Sequence, residues 1–155
     1  MNSTADNPGV IAIPPLLYLG AFIVFLILQW LWPMPIGRRS VVLWPGLVLS
    51  GLGVGLAIWG RRTMIAAGTN VRPTLPAKVL VASGPFRYSR NPLYIALTLL
   101  YVGLTMIVDT WWGLIVLVPL LAVMHVGVVL REERYLARKF GESYEQYRST
   151  VRRYV

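Results

Sequence analysis

The side chains best suited to bind a charged ligand lie in two short stretches that are far apart in the sequence. The first, residues 84–94, reads GPFRYSRNPLY and carries Arg87 and Arg90. The second carries the adjacent carboxylates Glu132 and Glu133. Guanidinium groups bind anions such as carboxylates, and carboxylates bind cations. If the fold joins the two stretches, they form a site for a small molecule that has both charges.

The first stretch also predicts the start of a helix. Asn91 precedes Pro92. An Asn at the N-cap can accept a hydrogen bond from a free backbone N–H, and a Pro at the first helical position lacks the N–H that would be left unpaired. The positive end of this helix then lies beside Arg87 and Arg90, which favours the binding of an anion.

The elements that must position these residues are apolar helices. The chain has 155 residues and is 56% hydrophobic, with a mean hydropathy of +0.61, more apolar than soluble domains. Four segments are apolar enough for membrane helices, which need about 20 residues: residues 14–32, 41–59, 93–108 and 111–130. Glycines in the second allow another helix to approach closely. We predict an all-α integral membrane protein with four transmembrane helices.

The last two spans form a hairpin, because only Asp109 and Thr110 separate them. At a rise of about 1.5 Å per residue, residues equally distant from the turn lie at similar depth. The start of the third helix, with Arg87 and Arg90, is therefore level with residues 130–133, and the two charged stretches meet at one membrane edge. An α-helical period also places His125 and Glu132 on one face.

The basic residues predict the topology. The chain has 15 Lys and Arg against 6 Asp and Glu, a net charge of +9. Most of the basic residues lie in residues 61–90 or after residue 130, next to apolar spans. The positive-inside rule therefore places both termini and the 61–90 loop in the cytoplasm. Charges in these positions indicate membrane lipids as partners, and no nucleic acid.

After residue 130 the pattern becomes amphipathic. Leu136, Phe140, Tyr144 and Tyr147 recur at helical spacing, with charged residues between them. We predict a cytoplasmic interfacial C-terminal helix that is interrupted at Gly141. This helix lies against the membrane surface and folds over the long loop.

Each candidate residue also has a structural interpretation. Arginines at the ends of spans anchor helices, and Glu132 and Glu133 can simply pair with them. An ionisable residue inside an apolar helix, such as His125, is a functional candidate, but a neutral histidine bonded across helices serves packing equally well. With no cysteine and a single histidine, the sequence indicates no metal site. It indicates no particular oligomeric state.

A longer set of spaced residues resembles the isoprenylcysteine carboxyl methyltransferase family in its short bacterial form. The resemblance covers roughly residues 68–151. It rests on Gly68, Thr69, Pro73, Pro76, Leu80, Val81, residues 84–94, Glu132, Glu133, Leu136, Phe140, Gly141, Tyr144 and Tyr147. Three features differ from the family. Asn91 stands where eukaryotic members have His, and Ile95-Ala96 follow Tyr94 where the family commonly has a glycine. The usual Arg-Val-Pro of the tail reads Thr150-Val151-Arg152.

The resemblance implies a methyltransferase of the bacterial inner membrane that uses S-adenosyl-L-methionine. Its acceptor would be a lipophilic molecule entering from the bilayer, such as an isoprenylcysteine-type carboxylate. Catalytic roles are implied for Glu133, Arg90 and Asn91. Cofactor contacts are implied for a larger set: Arg87, Tyr88, Arg90, Asn91, Pro92, Tyr94, His125, Glu132, Glu133, Tyr144 and Tyr147. Arginine suits the cofactor's carboxylate, glutamate its ammonium, and aromatic rings its adenine.

In this interpretation residues 1–60 form a two-helix anchor, and residues 61–155 form the cofactor-binding catalytic core of a single domain. Two other functions stay open. The membrane core also resembles that of the sterol reductases, which bind NADPH, although those enzymes usually have more spans. The third possibility is a non-catalytic membrane assembly protein in which the glutamates and arginines only pair with each other.

Overall fold

A computed structural model describes residues 8–154, and every regular element in this range is helical. This confirms the all-α prediction. The elements are α1 (Pro14–Leu31), α2 (Arg39–Ala66), a 3₁₀ turn (Gly84–Arg87), α3 (Pro92–Val108), α4 (Trp111–Met124), a π-helical turn (His125–Val129), α5 (Leu130–Phe140) and α6 (Glu142–Thr150).

Within residues 8–154, three helices are long and apolar enough to cross a membrane. They are Pro14–Leu31, Arg39–Ala66 and Trp111–Phe140, the last of which joins α4, the π turn and α5. α3 is a shorter apolar helix of 17 residues. Two predicted boundaries differ from the structure: α2 continues past Trp59 to Ala66, and the last span continues past Leu130 to Phe140. In both cases the helix extends beyond the apolar segment into a basic one.

The predicted hairpin of α3 and α4 is confirmed. Asp109 ends α3 in a left-handed conformation with φ of 57°, and Thr110 caps α4 by accepting the backbone N–H of Trp112 at 3.2 Å. Oδ1 of Asp109 also accepts the backbone N–H groups of Ile36 and Gly37, at 2.9 and 3.1 Å. This aspartate therefore ties the connection between α1 and α2 to the hairpin turn, at the end of the bundle away from the start of α3.

Close backbone contact between α2 and α3 fixes the position of α3. Gly46, Gly53 and Gly60 recur at seven-residue intervals on the buried side of α2. A Cβ on Gly53 would lie 2.7 Å from the backbone nitrogen of Leu100 and 2.8 Å from the carbonyl oxygen of Ala96. No side chain fits there, so the two helices pack through their backbones, as small residues permit between membrane helices.

An aromatic cluster joins α1 to α3 and α4. Phe25 is fully buried, and its ring contacts that of Tyr101 edge to face with centroids 5.5 Å apart. Tyr18 packs edge-on against Tyr101 as well, with centroids 6.0 Å apart. Leu120 and Met124 of α4 complete this core. The helix that carries the carboxylates is thereby held at a fixed depth relative to α3.

The long loop and the C-terminal segment meet beside the start of α3. Gly141, with φ of 53° and ψ of −127°, ends α5, which confirms the predicted interruption. The loop is held to α5 by a hydrogen bond from the backbone N–H of Ala77 to the hydroxyl of Tyr135 at 3.2 Å. α6 is held to it by the hydroxyl of Tyr147, which donates to the carbonyl of Phe86 at 2.6 Å.

Candidate functional site

Arg90 lies where the two charged stretches meet. Its side chain is only 9% exposed, and its Nη1 lies 3.2 Å from Oε1 of Glu133. Nη1 also donates to the hydroxyl of Tyr144 at 3.4 Å. Nε of Arg90 is buried and has no hydrogen-bond partner within residues 8–154. The fold therefore brings Arg90 and Glu133 together and leaves one buried donor of Arg90 for a ligand.

Glu133 is shared between two arginines. Arg153 donates from Nε to Oε1 of Glu133 at 3.0 Å and from Nη2 to Oε2 at 2.9 Å. This parallel pair of charge-assisted hydrogen bonds is the strong geometry for a guanidinium and a carboxylate. The hydrogen bonds to Glu133 raise the pKa of Arg153, so its guanidinium stays charged. Because Arg90 binds the same carboxylate, Glu133 has two cations for one negative charge.

The main chain of the tail is also held at the start of α3. The backbone N–H of Arg90 donates to the carbonyl of Arg152 at 2.9 Å. The carbonyl of Arg153 accepts from the hydroxyl of Ser89 at 3.2 Å and from Nδ2 of Asn91 at 3.0 Å. Three hydrogen bonds and one ion pair therefore dock the tail across the entrance to α3.

Asn91 occupies the N-cap position of α3, but its side chain makes no capping hydrogen bond. The prediction that it accepts a free N–H of the helix is therefore wrong. Its amide group donates to the tail instead, because the carbonyl of Arg153 lies within reach. Pro92 takes the first helical position, as predicted, and is buried.

Glu132 has a different environment from its neighbour. The hydroxyl of Tyr94 donates to Oε2 of Glu132 at 2.7 Å. Within residues 8–154 no Lys, Arg or His side chain forms an ion pair with Glu132. A carboxylate without a cation in a partly desolvated site attracts a positively charged ligand group.

These residues line a recess between the long loop, the start of α3 and the α5–α6 segment. Its charged and polar lining consists of Thr69, Asn70, Arg72, Arg90, Asn91, Glu132 and Glu133, and its aromatic lining of Phe86, Tyr135, Tyr144 and Tyr147. The recess has a volume of about 90 Å³, which is below the roughly 300–1,000 Å³ of most ligand pockets. A ligand of nucleoside size therefore needs the loop and the tail to move apart.

Two tyrosines of α6 close one side of the recess. Tyr144 and Tyr147 are buried, with their ring centroids 6.4 Å apart. Burial raises the pKa of both hydroxyls above the usual value for tyrosine. Both hydroxyls are therefore neutral at physiological pH. Because Tyr147 already donates to the carbonyl of Phe86, α6 presents aromatic surface and the hydroxyl of Tyr144 to a ligand.

A second cavity of about 270 Å³ adjoins the recess and shares Arg90, Asn91 and Glu132 with it. The rest of its lining includes apolar residues of α2 and α3 such as Ala57 and Leu97. Glu132 and Arg90 can thus be approached from a polar side and from a largely apolar side.

Five residues with predicted cofactor contacts do not line the recess. Pro92 and Tyr94 line the adjoining cavity instead. Arg87 and Tyr88 are exposed at the end of the 3₁₀ turn, with the guanidinium of Arg87 5.5 Å from the centre of the Tyr88 ring. His125 lines a separate groove between α3 and α4. The contacts of these residues with a cofactor stay predictions, and the structure does not bring them to the recess.

The π turn accounts for the position of His125. A π turn holds about one residue more than an α-helical turn, so the residues after it are rotated by about 100° relative to an unbroken α-helix. The turn spans His125–Val129 and therefore lies between His125 and Glu132. The two side chains, which an unbroken helix would place on one face, line different cavities.

Two residues of the tail are missing from the set derived from the sequence. Arg153 pairs with Glu133, and the hydroxyl of Tyr154 lies 2.8 Å from Nδ1 of His125. The one local signal for them is the basic pair Arg152–Arg153 before Tyr154, which a positive-inside pattern explains equally well.

Comparison with known proteins gives one family and one curated relative. The model of the family described as "Phospholipid methyltransferase" matches residues 41–143. The chain is 35% identical over 107 residues to the cobalt-zinc-cadmium resistance protein CzcN of Cupriavidus metallidurans. That match covers 67% of this chain and 46% of the relative, so the chain spans about half the relative's length. No solved structure matches the chain.

The family match covers α2, the long loop, α3, α4 and α5, and therefore most of the lining of the recess. It includes both charged stretches from which the resemblance was identified. The chain therefore belongs to the phospholipid methyltransferase family, among its isoprenylcysteine carboxyl methyltransferase-like members.

Proposed function

We propose that this protein is an S-adenosyl-L-methionine-dependent methyltransferase that acts on a lipophilic acceptor in the membrane. Membership of the family supports methyl transfer. The observation that carries the cofactor assignment is a pair of groups in the recess that can still bind a ligand. Glu132 has no cation partner within the described residues, and the buried Nε of Arg90 has no acceptor there. Such a recess favours a ligand that carries both a cation and a carboxylate.

The residues of the recess fit this cofactor group by group. Nε of Arg90 suits its carboxylate, Glu132 suits its ammonium or its sulfonium, and the rings of Phe86 and Tyr144 suit its adenine. Glu133 already holds two guanidiniums and is less suited to a further cation. We therefore assign cation binding to Glu132 and the positioning of Arg90 to Glu133.

The cofactor, when bound, supplies an activated methyl group on a sulfonium sulfur. The residues of the chain position the acceptor, which requires reacting atoms about 3 to 3.5 Å apart, and exclude water. Of the predicted catalytic residues, Arg90 binds the ligand, while Glu133 holds Arg90. Asn91 holds the tail over the site through the carbonyl of Arg153.

The membrane arrangement belongs to the same proposal. Three helices have the length and composition of spans, and we infer that the shorter α3 is the fourth. The basic long loop and tail then lie in the cytoplasm with both termini, and α6 lies at the inner-membrane surface. Residues 1–60 form the anchor and 61–155 the core. The anchor helices α1 and α2 pack on α4 and α3, so the two parts fold together.

Titration calorimetry of the purified protein in detergent with S-adenosyl-L-methionine tests the cofactor assignment. We expect binding to the wild type and at least a tenfold weaker affinity for Glu132→Gln, because a charge-assisted contact is lost. Glu145→Gln is the matched control, since Glu145 is exposed and its one ion pair among the described residues is with Arg148 at 3.3 Å. Its affinity should equal that of the wild type.

A parallel titration with NADPH tests the reductase alternative. Absence of heat with S-adenosyl-L-methionine at millimolar concentration, or binding of NADPH instead, would overturn the proposal. If the wild type and Glu132→Gln bound S-adenosyl-L-methionine with equal affinity, the cofactor assignment would stand and the proposed role of Glu132 would be wrong.

A further inference from the structure

A groove of about 560 Å³ lies between α3 and the end of α4, apart from the recess. Most of its wall is aliphatic, from residues such as Leu99, Leu121 and Met124. Polar groups also line it, namely the imidazole of His125 and the hydroxyls of Tyr18, Thr98 and Tyr154. Polar groups inside a membrane protein are costly unless they bind a partner, so an atom among them without a partner indicates a ligand with a polar part.

The hydrogen bonds of these groups leave one atom free for a ligand. The hydroxyl of Tyr18 is bonded to that of Thr98 at 2.7 Å, and the hydroxyl of Tyr154 to Nδ1 of His125 at 2.8 Å. Nε2 of His125 makes no hydrogen bond within residues 8–154. In a neutral imidazole Nε2 donates in one tautomer and accepts in the other. A ligand hydroxyl, which can do both, is complementary to either tautomer.

The lining of the groove disfavours an ionised ligand group of either sign, since no Asp or Glu among the described residues lines it. No Lys or Arg among the described residues lines the groove. The adjoining cavity beside Arg90, by contrast, is also lined by Arg61 and Arg72. An anion without a partner in an apolar groove pays a large desolvation penalty. The groove therefore suits an uncharged polar group, and the cavity with the arginines suits an anion.

The groove is adjacent to the cofactor site through one side chain. Tyr94 lines the groove and the cavity of about 270 Å³, and its hydroxyl donates to Glu132 at 2.7 Å. Glu132 in turn lines the recess. A molecule in the groove is thus separated from the recess by the hydrogen-bonded pair of Tyr94 and Glu132, and methyl transfer between the two sites requires this pair to part.

We propose that this groove binds the methyl acceptor, and that the acceptor is an uncharged lipophile with a hydroxyl group that bonds to Nε2 of His125. The inference rests on the proposed function, because it assigns the second substrate of that reaction. Methylation of the hydroxyl forms a C–O bond, breaks the C–S bond of the donor and releases the hydroxyl proton. His125 Nε2 is the basic atom in the groove that can take this proton.

Photolabelling of the protein in phosphatidylcholine nanodiscs, without cofactor, tests the site and the class of ligand. The probes are two C16 chains with the same diazirine, one ending in a primary alcohol and one in a carboxylic acid that is ionised at pH 8. We expect the alcohol to label residues 94–99 and 121–129 saturably, and the acid to label them weakly. Loss of one hydrogen bond should reduce this labelling about fivefold in His125→Phe.

Two further variants separate a hydrogen-bonding role from packing. His125→Gln keeps a polar group and should retain most of the labelling. Val126→Ala is the matched control, because Val126 is the next residue, is 62% exposed and does not line the groove; its labelling should equal that of the wild type. Equal labelling by acid and alcohol, labelling spread over all lipid-facing helices, or no effect of His125→Phe would each overturn the inference.

Cofactor titrations of the same samples keep this test apart from the proposed function. His125→Phe should bind S-adenosyl-L-methionine as the wild type does, since His125 does not line the recess. Specific labelling by the alcohol in a protein that binds no cofactor would support the site and reject the methyltransferase. Cofactor binding without specific labelling by the alcohol would support the proposed cofactor and reject the groove as the acceptor site.

Discussion

Replacement of Glu133 by Gln is expected to release the tail from the start of α3. Glu133 accepts two hydrogen bonds from Arg153, at 3.0 and 2.9 Å. The side chain of Glu133 is 13% exposed and that of Arg153 33% exposed. Hydrogen bonds to charged groups contribute about 1.5–3 kcal/mol. Gln keeps one acceptor oxygen, so we expect a loss of about 2 kcal/mol, which raises the undocked population roughly 30-fold.

The amide proton of Arg90 reports the docking of the tail directly, because it donates to the carbonyl of Arg152 at 2.9 Å. Hydrogen exchange of this amide in detergent should be roughly 30-fold faster in Glu133→Gln, while amides in the middle of α3 keep their rates. Glu145→Gln is the control, because Glu145 and Arg148 are 55% and 53% exposed. Surface pairs of this kind contribute about 0–1 kcal/mol.

Two results would refute this reasoning. If the Arg90 amide exchanged equally fast in Glu133→Gln and in the wild type, Glu133 would not hold the tail. If exchange accelerated uniformly in all helices, the ion pair would instead stabilise the whole bundle. Arg153→Ala separates the ion pair of Glu133 with Arg153 from the ion pair of Glu133 with Arg90. It removes the guanidinium of Arg153 and leaves Arg90 bonded to Glu133. It should expose the Arg90 amide as much as Glu133→Gln does.

Two further predictions concern stability. Gly53→Ala should destabilise the protein by about 1–3 kcal/mol, because the new Cβ would lie 2.7 Å from a backbone atom of α3. Gly51→Ala is the control and should be neutral or stabilising, because a Cβ on Gly51 would have nothing within 4 Å. Unfolding titrations in mixed detergent micelles compare the free energies of unfolding of the two variants. Tyr147→Phe should cost about 1 kcal/mol below pH 10, where the buried hydroxyl of Tyr147 donates to Phe86. Burial raises the pKa of Tyr147 in the folded protein above its unfolded value of about 10. The stabilisation by the neutral hydroxyl is therefore lost as the pH rises beyond 10. The difference in Tm between the wild type and Tyr147→Phe should shrink between pH 8 and pH 11.

The apolar elements were predictable because their signals are local. Uninterrupted apolar segments gave α1 and α3 to within about one residue, and the two residues between the last spans gave the hairpin. Gly141 ended α5 as predicted because it adopts a conformation with positive φ that glycine tolerates. Depth counted from the hairpin turn also placed Arg90 near Glu133, since that count needs only a constant rise per residue.

The tail contacts were not predictable in the same way, because they depend on where distant segments lie in space. Arg153 reaches Glu133 only because α6 reverses the chain after Gly141. The capping role of Asn91 failed for the same reason, since a carbonyl from the tail competes for its side chain. Arg90 is nearly buried and Arg87 is exposed, although both precede α3. Spacing alone does not separate two such arginines.

The π turn divides a single helix between the two proposed binding sites. Without it, His125 and Glu132 would face the same cavity, and one site would have to hold a charged cofactor and an apolar acceptor together. The rotation after Val129 places Glu132 in the polar recess and leaves His125 in the apolar groove, with Tyr94 between them. A charged cofactor and an uncharged acceptor can then reach the Tyr94–Glu132 pair from opposite sides. Deleting one residue from His125–Val129 should undo this division and weaken binding of both ligands, whereas His125→Phe should affect the acceptor alone.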